Sequence, residues 1–147
     1  MWSRVVEAWN GSAATQAATA TQAATATTAA YKRFSFQDVQ QLVASKPANT
    51  FILDVRERSE YSTGHVPGAY NMPFNSYPEA LKFDGEQFNA TFGFPKPATS
   101  ANMLFLCQSG ARAAKARDVA EKLGYANASV YPGSTNDWVG QGGKTVQ

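Results

Sequence analysis

The chain has one cysteine, Cys107, and one histidine, His65, among its 147 residues. A single cysteine excludes an intrachain disulfide framework. With only one histidine beside it, a zinc site of Cys and His ligands from one chain is excluded as well, and the sequence calls for no metal or cofactor. No apolar run approaches the roughly 20 residues that span a bilayer. The net charge is only +2, and the charges are scattered, so nothing marks a nucleic-acid partner. No secretory pattern is visible. The sequons at Asn10, Asn89 and Asn127 therefore carry little weight, and the expectation is an intracellular protein, mitochondrial or cytoplasmic, that is not secreted.

What is present is a composition of 44% hydrophobic and 16% charged residues, enough for one domain with a real core. Residues 1–11 place Trp2, Val5, Val6 and Trp9 on one narrow helical face. This segment has three readings: docking on the domain or a partner, targeting, or a membrane anchor. Residues 12–30 hold only Ala, Thr, Gln and one Ser, with "TQAATA" in tandem. Lacking any large apolar group to bury, they read as a tether.

Residues 31–147 form the expected domain, and their pattern is α/β. Ser35 followed by Asp38 predicts a capped helix with Phe36, Val39, Leu42 and Val43 on one face. "TFILDV" (50–55) and "MLFLC" (103–107) are continuous apolar runs of the kind that form strands buried on both faces of a parallel sheet, and "AYNMP" (69–73) and "SVY" (129–131) are weaker strands. Residues 111–123 predict a helix with Ala116, Val119, Ala120 and Leu123 as its apolar stripe and Gly124 as its stop. Alternating strands and helices imply a parallel sheet covered on both faces, with ligands at the carboxyl ends of its strands.

Cys107 stands at such an end. The residues after it, "QSGAR", let the backbone curl, and Gly110 supplies conformations that other residues resist. A curled run of amides at a helix N-terminus makes an anion-binding nest that favours a thiolate, and Arg112 adds a forked cationic donor. The competing reading is a cysteine that merely packs as a small hydrophobe, but a packing role needs neither the turn nor the arginine.

"CQSGAR" (107–112) resembles the active-site loop of the rhodanese sulfurtransferases. "LDVRERSEYSTGHVPGAYNMP" (53–73) and "YPGSTNDWVGQGG" (131–143) resemble the family's N-terminal and C-terminal motifs, in the same order. The similarity is greatest to the small single-domain fungal members, which also begin with a Met-Trp segment ending in "AWNG". The resemblance implies a five-stranded parallel sheet flanked by helices. Cys107 would be the sulfur-accepting nucleophile, and the backbone of Gln108, Ser109, Gly110, Ala111 and Arg112 would be its cradle. Asp54 and Arg56 would brace the site, with an ordinary surface ion pair as the alternative. His65 is expected to pack its loop, since a thiolate in an amide nest needs no base; a general base is the alternative, because an imidazole ordinarily titrates near neutrality.

The resemblance also bears on loop length. Cysteine phosphatases and arsenate reductases place five residues between Cys and Arg, whereas four separate Cys107 from Arg112, a smaller ring suited to one sulfur atom. The implied reaction takes sulfane sulfur from thiosulfate onto Cys107 and passes it to glutathione, cyanide or thioredoxin, because the chain holds no second thiol. Arg112, with Lys115 one turn on, favours a dianionic donor, whereas family members that use mercaptopyruvate typically end this loop in Thr. Many members have Arg directly after the cysteine, and here Gln108 removes that charge. A non-catalytic rhodanese-like binding module is the alternative, and a small phosphatase or arsenate reductase comes third.

Overall fold

The computed structural model describes residues 31–147, so the expected N-terminal segment (1–11) and tether (12–30) lie outside the described residues. Helix α1 (Phe36–Ser45) starts at Ser35, whose Oγ accepts from the Asp38 amide at 3.2 Å while Asp38 Oδ2 accepts from the Ser35 amide at 3.0 Å. This reciprocal cap satisfies two otherwise orphaned donors and turns Phe36, Val39 and Leu42 into the core. Strand β1 (Thr50–Asp54) follows, then α2 (Arg58–Thr63), β2 (Tyr70–Asn71), a short 3-10 turn (Ala80–Lys82) and α3 (Gly85–Phe92). Strand β3 (Asn102–Leu106), α4 (Ala111–Lys122), β4 (Ala128–Val130) and α5 (Ser134–Gly140) complete the chain order.

The strands form one parallel sheet in the order β2-β1-β3-β4, with Leu53 beside both Tyr70 and Phe105, and Phe105 beside Val130. The sheet has four strands among the described residues, which corrects the expected five. At the β4 edge the fifth position is reduced to a single bridge, Arg33 with Val130: the Phe34 amide donates to Val130 at 2.8 Å and the Val130 amide to Lys32 at 3.2 Å. After the bridge the chain leaves the sheet, because Ser35 already caps α1.

The central strands explain the two-layered cover. Met103 and Phe105 of β3 join Leu53, Phe88 of α3 and Ala113, Ala116 and Ala120 of α4 on one face. Leu104 and Leu106 join Ile52, the α1 side chains and Trp138 of α5 on the other. Residues 103–106 are wholly buried. Each such side chain contributes about 1.5–3 kcal/mol on leaving water, so β3 anchors the segment that ends in Cys107.

Two elements depart from the expected pattern. Helix α3 lies in a stretch for which no element is expected and buries Phe88, with Phe92 partly buried and Phe94 just beyond it. In α4 the buried stripe is Ala113, Ala116, Arg117 and Ala120, while Val119 and Leu123 are only partly covered. Arg117 is accommodated because its Nε donates to the Ala128 carbonyl at 3.1 Å and its guanidinium lies 4.1 Å from the Tyr31 ring centre.

Candidate active site

Cys107 leaves β3 at the carboxyl edge of the sheet and is 1% exposed. The Gly110 amide donates to its Sγ at 3.0 Å. That approach needs Gly110 itself, which has φ of 104°, and a Cβ there would meet the Pro132 carbonyl oxygen at 2.4 Å. The amino end of α5 holds the loop from behind. Ser134 Oγ accepts from the Cys107 amide at 3.1 Å and donates to the Tyr131 carbonyl at 2.8 Å. The Thr135 and Asn136 amides donate to the Cys107 and Gln108 carbonyls, each at 3.0 Å. These helix-end donors have no intrahelical acceptor, so the loop carbonyls complete them. Ser134 achieves this with φ of 53°, a left-handed value uncommon outside glycine. With two carbonyls held by α5, the amides of Gln108, Ser109, Ala111 and Arg112 have no partner among the described residues. Unpaired amides at a helix start suit an anion.

The other side of the site is charged. Arg112 points its guanidinium at Glu60 of α2, with Nη1–Oε1 at 2.8 Å and Nη2–Oε2 at 3.1 Å. This fork holds the Glu60 carboxyl at about 2, from an ordinary 4.5, against the opposing effect of burial. It also raises the Arg112 pKa, opposed by burial and helped by the charges of Glu60 and Cys107. Glu60 accepts in addition from the Glu57 amide at 3.1 Å, which fixes the start of α2.

Asp54 and Arg56 are 0% and 6% exposed, so they are no surface pair. Arg56 Nη2 donates to Asp54 Oδ2 at 2.9 Å and to the Gly64 carbonyl at 2.8 Å, tying the end of β1 to the far end of α2. Asn71 Nδ2 bonds both the Asp54 and Arg56 carbonyls, at 3.0 and 2.8 Å. His65 stacks on Tyr61 with ring centres 3.6 Å apart, and its Nδ1 lies 3.0 Å from the Tyr61 carbonyl oxygen. It makes no hydrogen bond to Cys107, and its backbone pairs with Val146.

Sequence reasoning therefore missed Glu60, Asn71 and Ser134. Glu60 and Ser134 sit inside quoted motifs, but nothing in their local spacing shows that they meet Arg112 and Cys107. Among the described residues no group of three or more His, Cys, Asp or Glu could hold a metal. None of their helices is long and apolar enough to cross a membrane.

A cleft of about 790 Å³ opens between α2 and α5, with Arg56, Glu60, Gln108 and Asn136 in its lining. A second cleft of about 340 Å³, beside Leu42, Lys46 and Tyr70, reaches Thr50 at the opposite end of β1 from Asp54. It contains none of the predicted site residues.

Fold and site together define a class: an α/β protein that presents a cysteine-centred, amide-rich loop at the carboxyl edge of a parallel sheet. Residues 35–141 match the family model described as the rhodanese-like domain, and the chain belongs to that family. It is 39% identical over 143 residues to the thiosulfate:glutathione sulfurtransferase of Saccharomyces cerevisiae, covering 97% of this chain and 96% of that one. It is 37% identical over 118 residues to the mitochondrial thiosulfate sulfurtransferase RDL2 of the same yeast, covering 80% and 79%. The solved human single-domain sulfurtransferase TSTD1 superposes with a TM-score of 0.68 at 32% identity, covering 74% of this chain and 96% of that one.

Proposed function

We propose that the protein is a thiosulfate sulfurtransferase in which Cys107 carries the sulfur. The observation that supports this most is the Gly110 amide on Sγ, in a loop whose carbonyls are held by α5 and whose other amides remain unpaired. The Cys107 thiolate attacks the outer sulfur of thiosulfate, the S–S bond breaks, and sulfite leaves with the bonding pair. The persulfide anion that remains is stabilised by the loop amides, the logic of an oxyanion hole. An external thiolate or cyanide then removes the outer sulfur and regenerates the Cys107 thiolate, a two-step covalent cycle.

The names of the yeast relatives support thiosulfate as donor and glutathione as acceptor. Thioredoxin is a further candidate acceptor, since the chain holds no second thiol. A mitochondrial setting is favoured by the name of RDL2. In this reading Arg112 orients the dianionic donor, Asp54 and Arg56 hold the frame, and His65 packs the loop. Residues 31–147 are the catalytic domain.

The test is intact mass before and after thiosulfate, with Cys107→Ser in parallel. The expected result is a gain of one sulfur atom on the wild type alone, reversed by glutathione or cyanide. Folded, reduced protein that gains nothing would overturn the reading. Turnover of p-nitrophenyl phosphate dependent on Cys107 would replace it with phosphatase chemistry.

A further inference from the structure

The cleft between α2 and α5 is larger than the donor chemistry requires, and it reaches the Cys107 loop at Gln108. Its two charged residues are already engaged, Arg56 with Asp54 and Gly64, and Glu60 with Arg112. By contrast, the side chains of Ser59, Gln108, Thr135, Asn136 and Thr145 line it without a hydrogen bond among the described residues. Val139 lines it too and is 59% exposed, the most open large hydrophobic side chain described. A small anion would find no unpaired cation there and would fill little of the space. A peptide-like thiol offers amide and carboxylate groups to the neutral polar side chains and methylene surface to Val139.

We propose that this cleft docks the sulfur acceptor as a glutathione-sized peptide thiol, with Val139 and Gly140 setting its specificity. The inference rests on the sulfurtransferase reading above. The acceptor thiolate attacks the outer sulfur of the Cys107 persulfide, and the bond between the two sulfurs breaks. The pair returns to Cys107 as thiolate, and the acceptor leaves as a persulfide anion. No oxidant or reductant is consumed.

Gly140 makes the test clean, because a Cβ there meets nothing within 4 Å and its backbone is not left-handed. Gly140→Phe therefore adds a bulky ring to the cleft lining with no clash at Cβ, and Val139→Asp adds a charge that repels anionic glutathione from an already exposed position. Each full-length variant would be loaded with thiosulfate and then assayed with glutathione, 2-mercaptoethanol and cyanide. The KM for glutathione is expected to rise by about tenfold or more, equivalent to about 1.4 kcal/mol of lost binding. Persulfide loading, and transfer to the two small acceptors, should stay close to wild type. Unchanged glutathione kinetics in both variants, or equal slowing with all three acceptors, would overturn the docking site. A wild type that never loads sulfur would overturn the sulfurtransferase reading, and this inference with it.

Discussion

On the β1–α2 side, the Cys107 loop meets paired charges, Asp54 with Arg56 and Glu60 with Arg112. On the β3–α5 side it meets backbone amides and one hydroxyl, from Ser134, Thr135 and Asn136. The neutral side fixes Cys107 with bonds that do not titrate near neutral pH and that turn the loop carbonyls toward α5. The charged side divides its work. Its buried pair acts as a strut, while the Arg112–Glu60 pair is partly open, with the Arg112 side chain 23% exposed, and in the proposed reaction Arg112 would exchange Glu60 for the incoming dianion. Under the proposed sulfur transfer, rigidity would sit where bond making needs a fixed sulfur, and exchangeable charge where the donor enters.

Breaking the strut should have the largest effect on stability. Arg56→Ala removes the guanidinium from the wholly buried Asp54 and leaves it only the backbone amide of residue 56, which costs about 3–5 kcal/mol. Denaturant unfolding should register this as a large fall in midpoint. A loss below about 1 kcal/mol would mean that water or another cation reaches Asp54 and that the pair resembles a surface bridge after all.

Breaking the neutral side should mainly injure chemistry. Gly110→Ala combines a left-handed φ with a Cβ at 2.4 Å from the Pro132 oxygen, strain of about 1–3 kcal/mol. The loop must move to relieve it, and persulfide formation should slow by about 100-fold, as misplaced groups typically do. Stopped-flow sulfite release would measure the step. A rate near wild type would show that the amide on Sγ is dispensable and would weaken the contrast between the two sides.

The smallest effect is expected from Glu60→Gln, which removes one charge of a partly exposed pair and costs about 0.2–1 kcal/mol at neutral pH. Because the folded-state pKa of Glu60 is lowered from 4.5 to about 2, its contribution is complete above pH 4.5 and is lost as the pH falls toward 2. Wild-type and variant stabilities, followed by melting across that range, should converge at the acid end. A constant gap would assign the effect to packing and not to charge.

The reach of the sequence can be judged element by element. The α1 cap was legible because its two partners are three residues apart, and β1 and β3 were legible because central parallel strands are apolar throughout. Tyr131 and Trp138, in the C-terminal motif, are buried at 1% and 2% exposed. Helix α3 was not legible: "GEQFNATF" offers only Phe88, Ala90 and Phe92 among polar residues, and its cap, Asp84 Oδ1 accepting from the Gln87 amide, leaves a weaker mark. Arg117 disguised the true stripe of α4, since its buried place depends on Tyr31 and the Ala128 carbonyl as well as on Asp118 and Glu121 of its own helix.

By itself the sequence determined the α/β pattern, the single thiol, its place at the end of a buried strand and the four residues between it and Arg112. Those features are local or periodic, and the chain order displays them. The tertiary structure decided which partner each group meets. Glu60 reaches Arg112 across 52 residues, and Ser134 reaches the Cys107 amide across 27. Among the described residues the fifth strand is one bridge, Arg33 with Val130. Such pairings depend on how the helices settle against the sheet, and spacing along the chain carries no record of that.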